Sequence, residues 1–392
     1  MEKKTLRIGV IGCGGRGWLA KHAHNPEENS FLVAGCDIVP KALEDFKEKY
    51  GPDVLVTEDY RKIIERDDID AVFVTSQDFL HEEQTVAALE SGKSVYVEKP
   101  MAITLEGCDR MLRAAYENKV KLYVGHNMRH MLLINKMKEL VDKGAIGEVK
   151  AGWCRHFVSY GADAYFKDWH AERSKATSLL LQKGAHDIDI LHWLCGGYSK
   201  LVTAVGGLTL YDQITDRHPE SERGDASWHL ENWPPLSQKG LNPVIDVEDI
   251  SMMLMHLDNG VFASYQQCHY TPDAWRNYTI IGTEGRIENF GDGSGNVVRL
   301  WNKRHYYQPY GDEQFYIPHT SGSHGGADPL IVQEFVRYLR GETKIKTSAI
   351  AARYSVAAGC SAAYSLRNGA MPVTIPPVPP EIEEYFNRDL VD

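Results

Sequence analysis

Leu6-Arg-Ile-Gly-Val-Ile-Gly12-Cys-Gly14-Gly-Arg16-Gly17 decides how this chain is read. The apolar run Ile8-Gly-Val-Ile11 suits a buried parallel strand, glycines then interrupt it, and Trp18-Leu-Ala-Lys-His-Ala resumes as a helix. Gly12, Gly14 and Gly17 have the G-x-G-x-x-G spacing of a dinucleotide-binding turn. Gly12 permits the tight exit from the strand, Gly14 lets backbone approach a pyrophosphate, and Gly17 lets the following helix pack on the sheet. That helix start offers free N–H groups to phosphate oxygens, and Arg16 lies inside the same turn as a further cofactor contact.

A glycine-rich turn alone is common, so its surroundings carry the weight. A second apolar run, Phe31-Leu-Val-Ala-Gly-Cys36, ends in Asp37, about twenty residues after Gly17, where a carboxylate meets the adenosine ribose hydroxyls. A carboxylate there repels a 2′-phosphate and favours NAD. Lys41 lies close enough to keep NADP open.

Short apolar runs alternate with amphipathic segments as far as residue 125. Strands are expected around residues 8–11, 31–33, 70–75, 94–97 and 121–125, with helices over 42–50, 60–65, 81–91 and 105–118 between them. This rhythm predicts a doubly wound parallel sheet, whose ligands bind at the carboxyl ends of the strands. Beyond residue 126 longer alternating runs such as Ile250-Ser-Met-Met-Leu-Met-His-Leu257 predict a large, mostly antiparallel open sheet in a second, α+β domain. The expected division is therefore 1–125 for the nucleotide domain and 126–392 for substrate binding and oligomerisation. Residues 211–246 read as a long excursion, and the proline-rich end, 372–392, as an extended tail.

Composition narrows the function. The 392 residues are 43% hydrophobic and 25% charged, with a net charge of −11 that disfavours nucleic acid and acidic membrane surfaces. No apolar run approaches the ~20 residues of a membrane span. Seven scattered cysteines without C-x-x-C spacing suit reduced thiols in a cytoplasmic protein.

Two stretches bear chemistry. In Glu98-Lys99-Pro100, directly after a strand, Lys99 can hydrogen-bond a substrate hydroxyl or shuttle a proton; on the tripeptide alone, a surface ion pair with Glu98 is the simpler reading. In Leu179-Leu-Leu-Gln182-Lys183-Gly-Ala-His186-Asp-Ile-Asp189, helical spacing puts Gln182, His186 and Asp189 on one face, where His186 can take a proton from an alcohol. No further cluster accompanies His-Asp-x-Asp, so no metal is expected.

In this order the motifs resemble the Gfo/Idh/MocA oxidoreductases over nearly the whole chain. The segments that carry the resemblance are the glycine turn, Asp37, Thr75 through His81, Ala88 through Pro100, Val124-Gly-His-Asn127-Met-Arg129, Gly144-Ala-Ile-Gly147 and Gly184-Ala-His186-Asp-Ile-Asp189. The resemblance implies that Lys99 and His186 are catalytic and that Thr75, His81, Glu98 and Asn127 lie along the cofactor. It further implies that Arg129, Trp169, His170 and Arg173 border the substrate, with Cys154-Arg-His156 as another wall. Separately, aromatic faces suit a sugar ring, which makes Trp169 and then Trp275 the tryptophan candidates. Two departures stand out. Gln182 replaces an aspartate common in the family and cannot accept a proton, while its neighbour Lys183 is unusual and can point into the site as readily as outward. Gln77-Asp78 replaces a Pro-Asn pair.

The implied activity is hydride transfer between NAD(P) and a secondary alcohol of a sugar, polyol or sugar derivative, in a homodimer or homotetramer formed through the second-domain sheet. Two alternatives stay open: a redox-neutral glycosidase that uses bound NAD transiently, and a non-catalytic sugar or dinucleotide sensor.

Overall fold

The computed structural model describes residues 3–222, 224, 228–293 and 295–390. Two compact units emerge, and their division is not contiguous. The first holds the chain up to His130, Gly322–Arg353 and the segment from Val378 on; the second holds Met131–Ser321 and Tyr354–Pro377. The linear split at residue 125 differs from this because two later segments bury their apolar side chains in the first unit.

In the first unit, β1 (Leu6–Ile11), β2 (Ser30–Cys36), β3 (Leu55–Thr57), β4 (Ala71–Val74), β5 (Ser94–Val97) and β6 (Leu122–Val124) form a parallel sheet in the order β3-β2-β1-β4-β5-β6. The order reverses between β1 and β4, which creates the crevice where such sheets bind dinucleotides. The strands read as continuous apolar runs because helices cover both faces. Helix Ala327–Leu339 supplies part of that cover, placing Phe335 5.4 Å from the Phe73 ring and 5.6 Å from that of Tyr96.

The segment after the glycine turn is a 3₁₀ helix, Gly15–Ala23, rather than the α-helix expected from Trp18. Its first turn closes tightly through Gly17 N–H donating to the Gly14 carbonyl at 2.7 Å. The proline-rich end also differs from expectation: it is extended only to Pro379 and then forms helix Pro380–Asn387. Pro380 occupies the first helical position, where a missing N–H removes no intrahelical bond.

The second unit is built on β7 (Val149–Phe157), β8 (Ser199–Gly207), β9 (Ile250–Leu257), β10 (Phe262–Cys268), β11 (Trp275–Gly282), β12 (Arg286–Phe290), β13 (Val297–Trp301), β14 (Glu313–Tyr316) and β15 (Val373–Thr374). These make one open sheet in the order β14-β13-β12-β11-β7-β10-β9-β8-β15. Every pairing is antiparallel except β7 with β10. One face is covered by helix Gly184–Cys195, and the other leaves Val205, Met252, Leu254 and Phe262 exposed.

The excursion at 211–246 is anchored at both ends. Tyr211, Ile214 and Leu241 are buried with Phe166 and Val247, and His218 N–H reaches the Leu241 carbonyl at 2.9 Å. Residues 223 and 225–227 within it lie outside the described residues. Among the described residues, no helix is long and apolar enough to cross a membrane.

Candidate active site

In the first unit the glycine turn is shaped by contacts that leave no room for side chains. Gly12 has φ +81°, and a Cβ on Gly17 would lie 2.1 Å from the Gly12 carbonyl oxygen. Thr75, at the end of β4, donates its hydroxyl to the Gly12 carbonyl at 2.9 Å and so holds the turn against the neighbouring strand. Asp37 accepts from Gly14 N–H at 2.8 Å through Oδ2 and from Val39 N–H at 3.0 Å through Oδ1. Each carboxylate oxygen keeps a second lone pair. The open glycine surface and a carboxylate with spare acceptor capacity fit the pyrophosphate and ribose of NAD.

Arg16 points into a network of acids. Its Nε donates to Glu98 at 2.8 Å, and its two terminal nitrogens form a bidentate pair with Asp328 at 3.0 and 2.9 Å. Burial works against the guanidinium charge, but Glu98 and Asp328 outweigh it and raise its pKa. Asp328 Oδ1 also accepts from Asn127 at 2.8 Å, and its Oδ2 lies 3.2 Å from His324 Nδ1. Three residues assigned to the cofactor from sequence, Arg16, Glu98 and Asn127, thus join one network with Asp328, which the sequence does not single out as a cofactor-site residue. The available signal was Asp328 itself, a carboxylate in the first turn of an amphipathic helix.

Buried His81 spans two carbonyls, with Nδ1 2.8 Å from Pro100 O and Nε2 3.1 Å from Ser76 O, and so ties the ends of β4 and β5 together. Lys99 is partly exposed directly after β5, with its N–H on Glu98 Oε2 at 3.1 Å. Arg129 is buried and donates to the Lys346 carbonyl at 2.7 Å, so its guanidinium anchors backbone of the same unit.

In the second unit the expected single helix is divided. Ser178 caps Leu179–Gln182, Lys183 separates the two segments while keeping a helical φ of −89° and ψ of −39°, and Gly184–Cys195 follows. The shared face of Gln182 and His186 is therefore not that of one continuous helix. Gln182, His186, Asp187 and Asp189 are all buried together with Leu180, Leu181, Ile188, Leu191 and Leu194.

Asp187 is the centre of the constellation below this helix. Alternate side chains on a strand share a face, and the register sets Cys154 beside Tyr278 and Tyr265, and His156 beside Arg276. Asp187 accepts from the Tyr265 hydroxyl at 3.0 Å and from the Tyr278 hydroxyl, pairs with Arg276 Nε at 2.9 Å, and lies 3.1 Å from His156 Nδ1. Burial by itself raises a carboxyl pKa; here Arg276, His156 and Tyr278 override it and hold Asp187 well below its usual range. Arg276 also pairs with Asp292 at 3.3 Å.

Lys183, between the two segments, directs its ammonium over the rings of Tyr160 and Tyr165, 5.6 and 5.4 Å from their centroids. Burial, and then the Arg276 charge, lower its pKa to about 7. The same two causes bring His156 down to about 3, and burial pushes His269 well below its ordinary value. The Tyr165 ring meets His269 at 5.3 Å and His170 at 5.4 Å, His170 is held by Asp168 at 2.6 Å, and Trp169 stacks on His170 at 3.7 Å.

Lys183, Trp169 and His170 are thus brought together, with Asp187, Arg276, Tyr165 and His269 as additions that sequence reading missed. Arg173 instead engages Asp246 through its N–H and Glu248 through its guanidinium. Trp275 lies on the opposite sheet face from Arg276, against Phe157 at 6.0 Å, as strand alternation requires, and so leaves the constellation. Among the described residues, no group of three or more His, Cys, Asp or Glu side chains is arranged to hold a metal.

Comparison with known proteins agrees with this architecture. Residues 6–126 match the profile of the oxidoreductase family with an NAD-binding Rossmann fold, and residues 138–375 match its C-terminal alpha/beta domain. The Bacillus subtilis protein YteT, provisionally named an oxidoreductase, is 26% identical over 341 residues, 76% of this chain and 78% of its own. An inositol 2-dehydrogenase/D-chiro-inositol 3-dehydrogenase of Halalkalibacterium halodurans is 33% identical over 193 residues, 48% of this chain and 53% of its own. The chain thus spans about half the length of that inositol dehydrogenase. A levoglucosan dehydrogenase solved with NADH and levoglucosan shares the fold, with a TM-score of 0.76 at 21% identity, covering 95% of this chain and 100% of that one. With both profiles matched in order, this chain belongs to the Gfo/Idh/MocA family of oxidoreductases and carries its NAD-binding Rossmann domain.

Proposed function

We propose that the protein is an NAD-dependent dehydrogenase for a secondary alcohol of a carbohydrate or polyol. One observation carries the substrate side: Lys183, His156, Asp187, Arg276 and His269 form a dense set of hydrogen-bonding groups on the covered face of the second-unit sheet, bordered by Tyr165, His170 and Trp169. Aromatic faces and multidentate polar groups suit a polyhydroxylated ring. Inositol and levoglucosan dehydrogenases among the relatives support the same class.

When bound, NAD supplies the hydride acceptor. The chain's own contribution is orientation and proton handling. Asp37 holds ribose hydroxyls, and the bare backbone of Gly12–Gly17 admits the pyrophosphate. His186 takes the substrate hydroxyl proton, with Lys99 as the second proton-transfer group, since Gln182 can only hydrogen-bond. The exposed stripe Val205, Met252, Leu254 and Phe262 supports a homo-oligomer joined through this sheet.

The test incubates the protein with NAD and a panel of sugars, polyols and nitrophenyl glycosides, following NADH absorbance and aglycone release together. Stoichiometric NADH from a sugar or polyol is expected. Aglycone release without NADH would replace this reading with the redox-neutral glycosidase. A Lys99→Ala protein that binds NAD and turns over at the parent rate would remove Lys99 from the mechanism.

A further inference from the structure

We propose that Lys183 builds an anion-recognition subsite in the second unit, so that the substrate is a carbohydrate bearing a carboxylate, such as a hexuronate, in preference to its neutral parent. This rests on the carbohydrate reading above and narrows its substrate class.

The argument is one of unmatched donors. The carboxylates that face Lys183 are Asp187 and Asp292. Asp187 is committed to Tyr265, Tyr278, His156 and Arg276, and Asp292 to the N–H and guanidinium of Arg276. Among the described residues, the Lys183 ammonium therefore meets aromatic faces and no hydrogen-bond acceptor. His269, lying against the same Tyr165 ring, is fully buried, and neither of its ring nitrogens has a hydrogen-bond partner among the described residues.

Donors enclosed without acceptors are costly. Their complement is a ligand rich in acceptors and opposite in charge. A single unmatched cation beside two neutral imidazoles suits a monoanion such as a carboxylate better than a phosphate dianion.

Protonation supplies a signature. The groups facing Lys183 are Arg276, Asp187, Asp292, Tyr160, Tyr165, His156 and His269, and both histidines are held neutral. Lys183 is charged below about pH 7 and loses its proton above it. Carboxylate affinity is then flat below that point and falls about tenfold per pH unit above it, with binding at high pH drawing a proton from solution.

The experiment compares glucuronate and galacturonate with glucose, galactose and glucose 6-phosphate, by kcat/KM with NAD and by calorimetry in two buffers of different ionisation heat. The wild-type protein should prefer a uronate to its parent hexose by about tenfold or more, and Lys183→Met should abolish that preference while NAD still binds. Lys183→Arg should keep the preference but lose both proton uptake and the decline above pH 7. Equal handling of uronate and hexose, a retained preference in Lys183→Met, or equal preference for the sugar phosphate would overturn the proposal. If no sugar reduces NAD, the dehydrogenase reading fails separately. Calorimetry still decides the subsite: uronate binding with proton uptake upholds it, and no uronate binding overturns it.

Discussion

Lys183 shows how one side chain changes character through its surroundings. In an unfolded chain its pKa is about 10.4, whereas the folded protein lowers it to about 7 by burial and by Arg276. Between these values the unfolded chain binds one more proton than the folded one, so stability rises with pH across that window. Below it both states are charged and the folded state bears the full cost. Lys183→Met should therefore raise the melting temperature at neutral pH by about 4 °C, and the gain should vanish as pH approaches about 10. Calorimetric melts at several pH values check both sign and window. At Gly17 the constraint is steric: an added Cβ would meet the Gly12 carbonyl oxygen at 2.1 Å, and backbone cannot step aside. Gly17→Ala should cost about 1–3 kcal/mol in a denaturant titration and weaken NAD binding measured by fluorescence.

At the scale of elements, helix Ala327–Leu339 unites chemistry with packing. Its first turn presents Asp328 to Arg16 and Asn127, and its middle places Phe335 on Phe73, Tyr96 and Tyr123. Removing one member of a buried ion pair costs about 3–5 kcal/mol. Arg16 keeps 26% of its side chain exposed, so Asp328→Ala should lose about 2–3 kcal/mol, less than the full figure. Phe335→Ala should lose about 3–5 kcal/mol, because the three surrounding rings cannot all collapse into the gap. Chemical denaturation separates the two, and only Asp328→Ala should also change NAD affinity. Apolar residues at helical spacing over 331–339 mark the helix in the sequence itself. Its role is not legible there, because nothing in local sequence says that a segment three hundred residues from the glycine turn supplies the acid that Arg16 needs.

For the molecule as a whole, the sheet of the second unit carries the face on which the proposed assembly rests. A face carrying Val205, Met252, Leu254 and Phe262, with Phe262 63% exposed, is a liability for an isolated chain. Leu254→Asp should shift the species seen by light scattering toward monomer while leaving NAD binding intact. An unchanged mass would remove this face from the assembly.

Local chemistry in the sequence determined the nucleotide half nearly outright. A strand, three glycines at set spacing and a carboxylate just after the next strand mark one backbone path, since Gly14 answers Asp37 and Gly17 answers Gly12 nearby in the chain. The rhythm of apolar runs likewise sufficed for a parallel sheet followed by an open one. Tertiary structure alone decided which polar side chains meet. Asp187, His156, Tyr265, Arg276 and Tyr278 come from a helix and three strands, and the meeting of the strand residues depends on strand register. Register is a property of paired strands, set by long-range packing, and no single stretch of chain encodes it.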